Sequence, residues 1–408
     1  MDLKNISPKV YKLYNSYQNY DWGTKNNNAF IPKFVGDEVE KDLPYAELWI
    51  GAHPKLSSKI LIDGKYYSLD KVIEAFPNEI LGERVAEKFN NKLPFLLKIL
   101  SADRALSIQT HPNKSTAEIL HAKDPINYPD DNHKPEIAIA LDRLNAIVGF
   151  KSFQEIVKIL TKYIELADAI KFSLNENQKN LPVEKQKEIV KNVYAELMNI
   201  GEDTLIKVIT SINEKIKSEN NPLKEEKEFL KQFRIFGNDV GLLSILLFNY
   251  VKLEKDEAIF TDAGIPHAYL EGNIIECMAN SDNVVRAGLT EKYKDVETLL
   301  SILNYDSTSN KKMKPYHNST TFKYPTPIDE FKISINNFSK HNEHIEENNS
   351  SIKIILIIYG NFIVEWKEDN VTFSREFEKG EAILIPGNLK SYKLTNSHSA
   401  KFVMVEVP

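Results

Sequence analysis

The chain has 408 residues, of which 42% are hydrophobic and 27% charged, with a formal net charge of -6. That length exceeds one ordinary core and predicts two or three folded units, while the composition excludes a disordered chain. The acidic balance argues against nucleic acid as a partner, so an anionic ligand would need a local basic pocket.

Cys277 is the only cysteine, which excludes an intrachain disulfide and fits a reducing compartment. Its plain reading is a small buried apolar residue. The N-terminus carries no apolar stretch behind a basic start, so no secretory leader and a cytoplasmic location are expected. The longest central apolar run, "VGLLSILLFNYV", is short of the ~20 residues a bilayer needs, so no membrane partner is expected and the run reads as a buried helix. The Asn318-Ser319-Thr320 sequon carries no meaning without export.

Up to about residue 150 the pattern is mostly short strands and turns: "ELWIGAHP", "PFLLKILSA", "ALSIQTHP" and "PEIAIAL" alternate or run apolar between Pro, Asn and Asp. From Ser152 the period changes. "SFQEIVKILTKYIELADAI" opens with Ser152 and Glu155 in capping-box spacing and repeats apolar residues on one helical face. A second helix is predicted after Pro182 with Gly201 as its C-cap, and two more through "KEEKEFLKQF" and "VGLLSILLFNYV". Strand texture returns after residue 250. There "KDEAIFTDAGIPHAYL" and the later "KGEAILIPGNLKSYKL" share a Lys-x-Glu-Ala-Ile opening, and ungapped pairing sets His267 opposite Ser391. Two related strand-turn-strand copies suggest two related β-barrels, the second without its histidine and serving as support.

"ALSIQTHPNK" places Ser107, Gln109 and His111 two apart, on one face of an extended chain. In "HKPEIAIAL" Glu136 shares a face with Ala138 and Ala140, which leaves room for an ion, and Lys134 lies on that same face. In "AGIPHAYLEG" a Gly264 and Pro266 turn presents His267 at a strand start. Gln109, His111, Glu136 and His267 together form a mixed N/O set suited to Zn²⁺, and tolerable to Fe²⁺, Mn²⁺ or Ni²⁺. Taken singly, the same residues read as a hydrogen-bonded amide, a solvated charge and two ordinary histidines.

Their company favours the joint reading. "IIECMANSDNVVRAGLTEK" supplies Glu276, Asp282, Arg286 and Lys292 along a loop. Arg286, amid small apolar residues, is either an anion clamp or the ion-pair partner of Asp282. Lys98, inside the apolar "PFLLKIL", is a snorkelling charge or a pocket lysine. These cations would form the positive pocket that an acidic protein needs for an anionic substrate.

"ALSIQTHPNK", "HKPEIAIAL", "EAIFTDAGIPHAYLEG" and "ECMANSDNVVRAGLTEKYKDVETL", with "NYDWG" and "AELWIGAHP" ahead of them, resemble the signature segments of the type I mannose-6-phosphate isomerases, or phosphomannose isomerases. The likeness runs from about residue 10 to residue 300. It implies a mainly β fold with an α insertion: cupin-type jelly-roll barrels plus a helical domain. The expected division is a catalytic barrel from 1–150 and 250–320, a helical insertion at 151–249, and a C-terminal barrel at 321–408 without a metal site.

The resemblance further implies one zinc ion on Gln109, His111, Glu136 and His267, and interconversion of mannose 6-phosphate and fructose 6-phosphate, between glycolysis and GDP-mannose supply. Arg286, Glu276 and Lys134 take catalytic roles by this likeness, and Ser107, Lys98, Lys292 and Asp282 surround the sugar phosphate, in a chain expected to be a monomer. Thr110, Asn113, Asp262, Ile265 and Glu291 depart from the usual family wording, which bears on loop geometry.

Chemistry independent of the resemblance points the same way. Moving a carbonyl between adjacent sugar carbons passes through an anionic enediolate, and a divalent cation with one carboxylate ligand keeps net positive charge for it. Two rival readings use the same residues: a cupin Fe²⁺ oxygenase, and a non-catalytic sugar-phosphate-binding protein whose metal staples the barrel. Gln109 speaks against the first, since an oxygenase keeps that position open. Arg286 and Glu276 speak against the second.

Overall fold

The computed structural model describes all residues except 1–3, 174–180, 308–310, 317–318, 340–342, 349, 369–370 and 397; Asn318 of the sequon lies outside the described residues. Sheets dominate, and helices are grouped mainly between residues 153 and 247. A nine-stranded antiparallel sheet carries in its centre the strands Phe95–Ala102, Glu136–Phe150 and His267–Ala279. A six-stranded sheet collects Tyr11–Leu13, Ala382–Ile385, Lys353–Tyr359, Ala400–Glu406, Lys332–Phe338 and Thr321–Tyr324 in that spatial order. The strand Tyr11–Leu13 thus pairs with residues nearly the whole chain away, Leu13 facing Ala382.

Alternation explains how the sheets pack. Ile137, Ile139 and Leu141 join Leu97, Ile99, Ile275 and Cys277 in one core with Ile333, Ile335, Ile354, Leu356 and Val403 of the six-stranded sheet. Each such aliphatic side chain, fully buried, contributes roughly 1.5–3 kcal/mol. Ala138 and Ala140 turn the other way, into a separate core with Leu100, Leu144, Val148 and Tyr269. Along the strand itself, the positions following Glu136 on its face, Ala138 and Ala140, are therefore small, as its sequence predicts. Between Ala140 and Leu144 the register with the His267–Ala279 strand shifts. Gly272 at that bend has φ +139°, and a Cβ there would lie 2.1 Å from the Arg143 carbonyl oxygen, so only glycine fits.

The two similar segments adopt the same strand-turn-strand form, Ala258–Thr261 then His267–Ala279, and Ala382–Ile385 then Ser391–Thr395. Their partners extend the likeness: Glu136 faces Thr261, and Lys353 faces Ile385. A buried lysine thus takes in the second copy the place that Glu136 holds in the first. Ile355 and Ile357, packed in the second copy's own interior, stand where Ala138 and Ala140 leave space.

Several elements differ from expectation. The capping box at Ser152 forms, with Glu155 accepting from the Ser152 amide at 3.0 Å, but the helix ends at Lys162 and restarts at Ile164–Ala169. The break lets the fully buried Tyr163 donate its hydroxyl to Glu226 at 2.7 Å. Gly201 is not a C-cap: the helix Val183–Met198 stops before it, and Gly201, extended at φ -69°, opens an unpredicted helix Glu202–Ser218. "VGLLSILLFNYV" is helical only over Gly241–Leu247 and continues as the strand Phe248–Glu254. The first 150 residues also hold short helices, among them Lys114–Lys123, which Asn113 caps by accepting from the Thr116 amide at 2.9 Å. No helix among the described residues is long and apolar enough to cross a membrane.

Candidate functional site

Three neighbouring strands converge on one point. Glu136 opens the Glu136–Phe150 strand, His267 opens His267–Ala279, and His111 follows the short strand Ile108–Thr110. All three side chains are buried, and one ligand atom from each lies within 4.8 Å of the others. His267 Nε2 is 2.9 Å from Glu136 Oε1, and His111 Nε2 is 3.5 Å from Oε2. Gln109, half-buried, lies across from His267 on one side and Arg286 on the other.

The other ring nitrogens settle the tautomers. His111 Nδ1 lies 2.7 Å from the Asn283 carbonyl oxygen and His267 Nδ1 lies 2.9 Å from that of Ile265. A carbonyl only accepts, so each Nδ1 carries a proton, and in the neutral imidazole that a metal ligand must be each Nε2 turns a lone pair toward the carboxylate. Burial, aided by the Lys134 ammonium, pushes His111 down to about 4, so its imidazole is neutral at pH 7. Burial alone would raise the Glu136 carboxyl, yet the charges around it, the Lys134 ammonium at 3.8 Å among them, hold it well below the ordinary carboxylate range. Lone pairs therefore face an ionised carboxylate, and His111 Nε2, His267 Nε2 and Glu136 Oε2 make no hydrogen bond. Such an arrangement is repulsive unless a cation sits among the three, and N, N and O donors fit a divalent transition metal.

Around this point lies a second layer. The Tyr269 hydroxyl donates to Glu136 Oε1 at 3.1 Å. Lys134 Nζ stands 3.8 Å from Glu136 Oε2, on the shared face the sequence predicts. Lys98 is buried and directly opposite Glu276 in the sheet. Its Nζ is 3.2 Å from Glu276 Oε2, 3.5 Å from Glu47 Oε2 and 5.1 Å from the centre of the Trp49 ring. Burial would lower the Lys98 ammonium, but Glu47 and Glu276 outweigh it and hold it above the ordinary lysine range. Lys98 is a pocket lysine and does not snorkel. Burial raises the Glu276 carboxyl, which Lys98 opposes and Glu136 reinforces.

Glu276 and Arg286 are not on a loop: the first lies within the His267–Ala279 strand and the second on Val285–Gly288. The alternative pairing of Arg286 with Asp282 does not form. Asp282 instead lies 2.7 Å from Lys55 Nζ and 3.5 Å from His53 Nε2, which leaves the half-buried Arg286 guanidinium without an acidic partner among the described residues. Ser107 is half-buried just ahead of the Ile108–Thr110 strand, and Lys292 is exposed in the turn beyond Gly288.

Sequence reading missed Tyr269, Glu47, His53 and the loop clamp behind His111. In that clamp the Asn283 side chain donates to the carbonyls of Asp130 and Asn132 at 2.6 and 2.9 Å, while Asp130 accepts from the Asp282 amide at 2.7 Å. Tyr269 was findable, because it stands two residues from His267 and so shares its strand face. Glu47 has the same relation to Trp49.

Residues 10–153 match the family described as phosphomannose isomerase type I, catalytic domain. The chain is 39% identical to mannose-6-phosphate isomerase of Saccharomyces cerevisiae, over 80% of this chain and 83% of that one. It is 36% identical to the Candida albicans enzyme over 90% of each. A zinc-bound crystal structure of mannose 6-phosphate isomerase superposes with TM-score 0.84 at 32% identity, covering 97% of this chain and 98% of that one. A variant of the Salmonella typhimurium phosphomannose isomerase superposes with TM-score 0.87, also at 32% identity, covering 98% and 99%. The buried His-Glu-His cluster thus lies in a chain that belongs to the mannose-6-phosphate isomerase family.

Proposed function

We propose that this protein interconverts D-mannose 6-phosphate and D-fructose 6-phosphate, with one zinc ion per chain held by Gln109, His111, Glu136 and His267. The observation that carries the proposal is the mutual facing of two imidazole lone pairs and a carboxylate at one buried point. One such cluster occurs among the described residues, which supports one ion per chain. A bound divalent ion supplies positive charge for the oxygens of a sugar whose carbonyl is being moved.

The chain's own residues account for the remaining demands. Glu276, a buried carboxyl raised by its surroundings, is suited to take a proton from one sugar carbon and return it to the next, while Lys134 gives a proton to the carbonyl oxygen and takes one back from the neighbouring hydroxyl. Lys98 holds Glu276 in place and limits the rise of its carboxyl. Arg286, without a carboxylate partner, directs fixed N–H donors at the enediolate that forms between the two carbonyl positions. The half-buried Ser107, two residues ahead of Gln109, and the exposed Lys292 would hold the phosphate and so orient the reacting end. Asp282, steadied by Lys55, would accept from a sugar hydroxyl. The acid and base assignments are supported by burial and charge balance; those to phosphate and hydroxyl are supported by side-chain chemistry.

The test is a coupled assay. Purified protein incubated with mannose 6-phosphate should release fructose 6-phosphate, and the reverse substrate should give the reverse product. Tight binding of either sugar phosphate with no conversion, at full zinc content, would support the non-catalytic reading instead. Oxygen uptake without isomerisation would support the oxygenase.

A further inference from the structure

We propose that Asp239, contributed by the helical segment, is a positioning residue that sets the Arg286 guanidinium in the site, an inference that rests on the role given to Arg286 above. The strand bearing Arg286 is slight. Val285–Gly288 is four residues long and pairs only with Ile108–Thr110, and its register shifts between Arg286 and Gly288, so Ala287 is an extra residue. Such a bulge re-aims the side chains beside it and needs support from outside the ladder. The guanidinium has no hydrogen-bond or ion-pair partner among the described residues, so no polar side-chain contact fixes it and the backbone beneath it carries more of its placement.

That support comes from the segment just ahead of the helix Gly241–Leu247. Asp239 Oδ1 accepts from the Leu289 amide at 2.6 Å and from the Gly241 amide at 2.7 Å. Leu289 holds φ +53°, a left-handed conformation that a branched side chain adopts at a cost of about 1 kcal/mol or more. Gly241 and Gly288 touch backbone to backbone: a Cβ on Gly288 would fall 2.5 Å from the Gly241 Cα. Val285, Ala287 and Leu289 sink into the helical core with Leu242, Leu243 and Leu246. Two hydrogen bonds on one carboxylate oxygen, a glycine contact and a strained leucine therefore fix the backbone within three residues of Arg286. The helical segment acts on the chemistry through this clamp.

Misplacing a catalytic group by about 1 Å can cost on the order of a hundredfold in rate. Zinc-loaded, full-length Asp239→Ala should therefore lose at least about tenfold in kcat, with metal content at the level of the parent protein and KM for mannose 6-phosphate little changed. Asp239→Asn keeps the accepting oxygen and should restore turnover. In combination with Arg286→Ala, Asp239→Ala should cause no further loss, because both act through one guanidinium. Gly288→Ala, which forces the two backbones apart, should show the same selective fall and serves if Asp239→Ala does not fold. Parental kcat in folded Asp239→Ala or Gly288→Ala, or losses that multiply with that of Arg286→Ala, would overturn the proposal. Parental kcat in Arg286→Ala itself would instead remove the role given to Arg286, a separable outcome.

Discussion

Lys98 and Glu276 face each other across adjacent strands, with Lys98 Nζ 3.2 Å from Glu276 Oε2 in a buried setting. Burial raises the Glu276 carboxyl and Lys98 counters it. If Glu276 is the base, its protonated form is inactive, so the rate falls as pH drops through its raised value. Removing the ammonium raises that carboxyl further. Lys98→Met should therefore move the acid limb of kcat/KM to higher pH and lower activity at pH 6 more than at pH 8. A limb that stays put or moves to lower pH would show that Glu276 is not the group being titrated.

Metal retention should show the mark of His111. Burial lowers this imidazole to about 4, below its ordinary ~6.5. Its Nε2 lone pair therefore remains available well below neutral pH, and protons compete for it only as pH approaches that lowered value. Zinc content after stepwise acid dialysis should hold to about pH 5 and fall steeply below it. Loss centred near pH 6.5 would mean an imidazole with ordinary exposure.

Tyr269 orients the carboxylate through its 3.1 Å hydrogen bond to Glu136. Tyr269→Phe removes that donor and leaves the ring, so packing with Leu144 and Val148 should persist. Metal affinity should fall roughly tenfold to a hundredfold, as when an outer partner of a ligand is lost. Competition with a zinc-sensitive dye measures it, and unchanged affinity would place the hydroxyl outside the ligand-orienting set.

Alternation along the Glu136–Phe150 strand gives a further expectation. Ile137 is fully buried in the core shared by the two large sheets, on the face away from Glu136. Ile137→Ala should lower stability by roughly 2–5 kcal/mol while the folded fraction keeps its zinc and its kcat. Thermal melting with metal analysis decides it. Selective loss of zinc at unchanged melting temperature would reverse the face assignment.

What the sequence made legible was local. Gln109 and His111 are two apart, Glu136 is followed by alternate alanines, and His267 follows a Gly-x-Pro turn; each pattern needs only strand geometry to read. Ser152 and Glu155 likewise announced a helix start. Relationships across long separations were not legible. Nothing near Tyr11 says that its strand pairs with Leu384, and nothing near Asp282 says that Lys55 takes its carboxylate. The helix Glu202–Ser218 is masked in the sequence by Gly201, which reads as a helix end, although the buried Val208, Ile209, Ile212 and Ile216 follow helical spacing. "VGLLSILLFNYV" shows the limit of an apolar run: buried continuously from Val240 to Phe248, it gives no period to separate helix from strand.

The central claim is that a metal at His111, Glu136 and His267 is required for isomerisation. The direct measurement is turnover of mannose 6-phosphate by one preparation before chelation, after chelation with zinc shown absent by elemental analysis, and after zinc is restored. Activity should disappear with the metal and return with it, and His267→Ala should neither hold zinc nor recover. Full-rate equilibration of the two sugar phosphates by the verified metal-free protein would contradict the account.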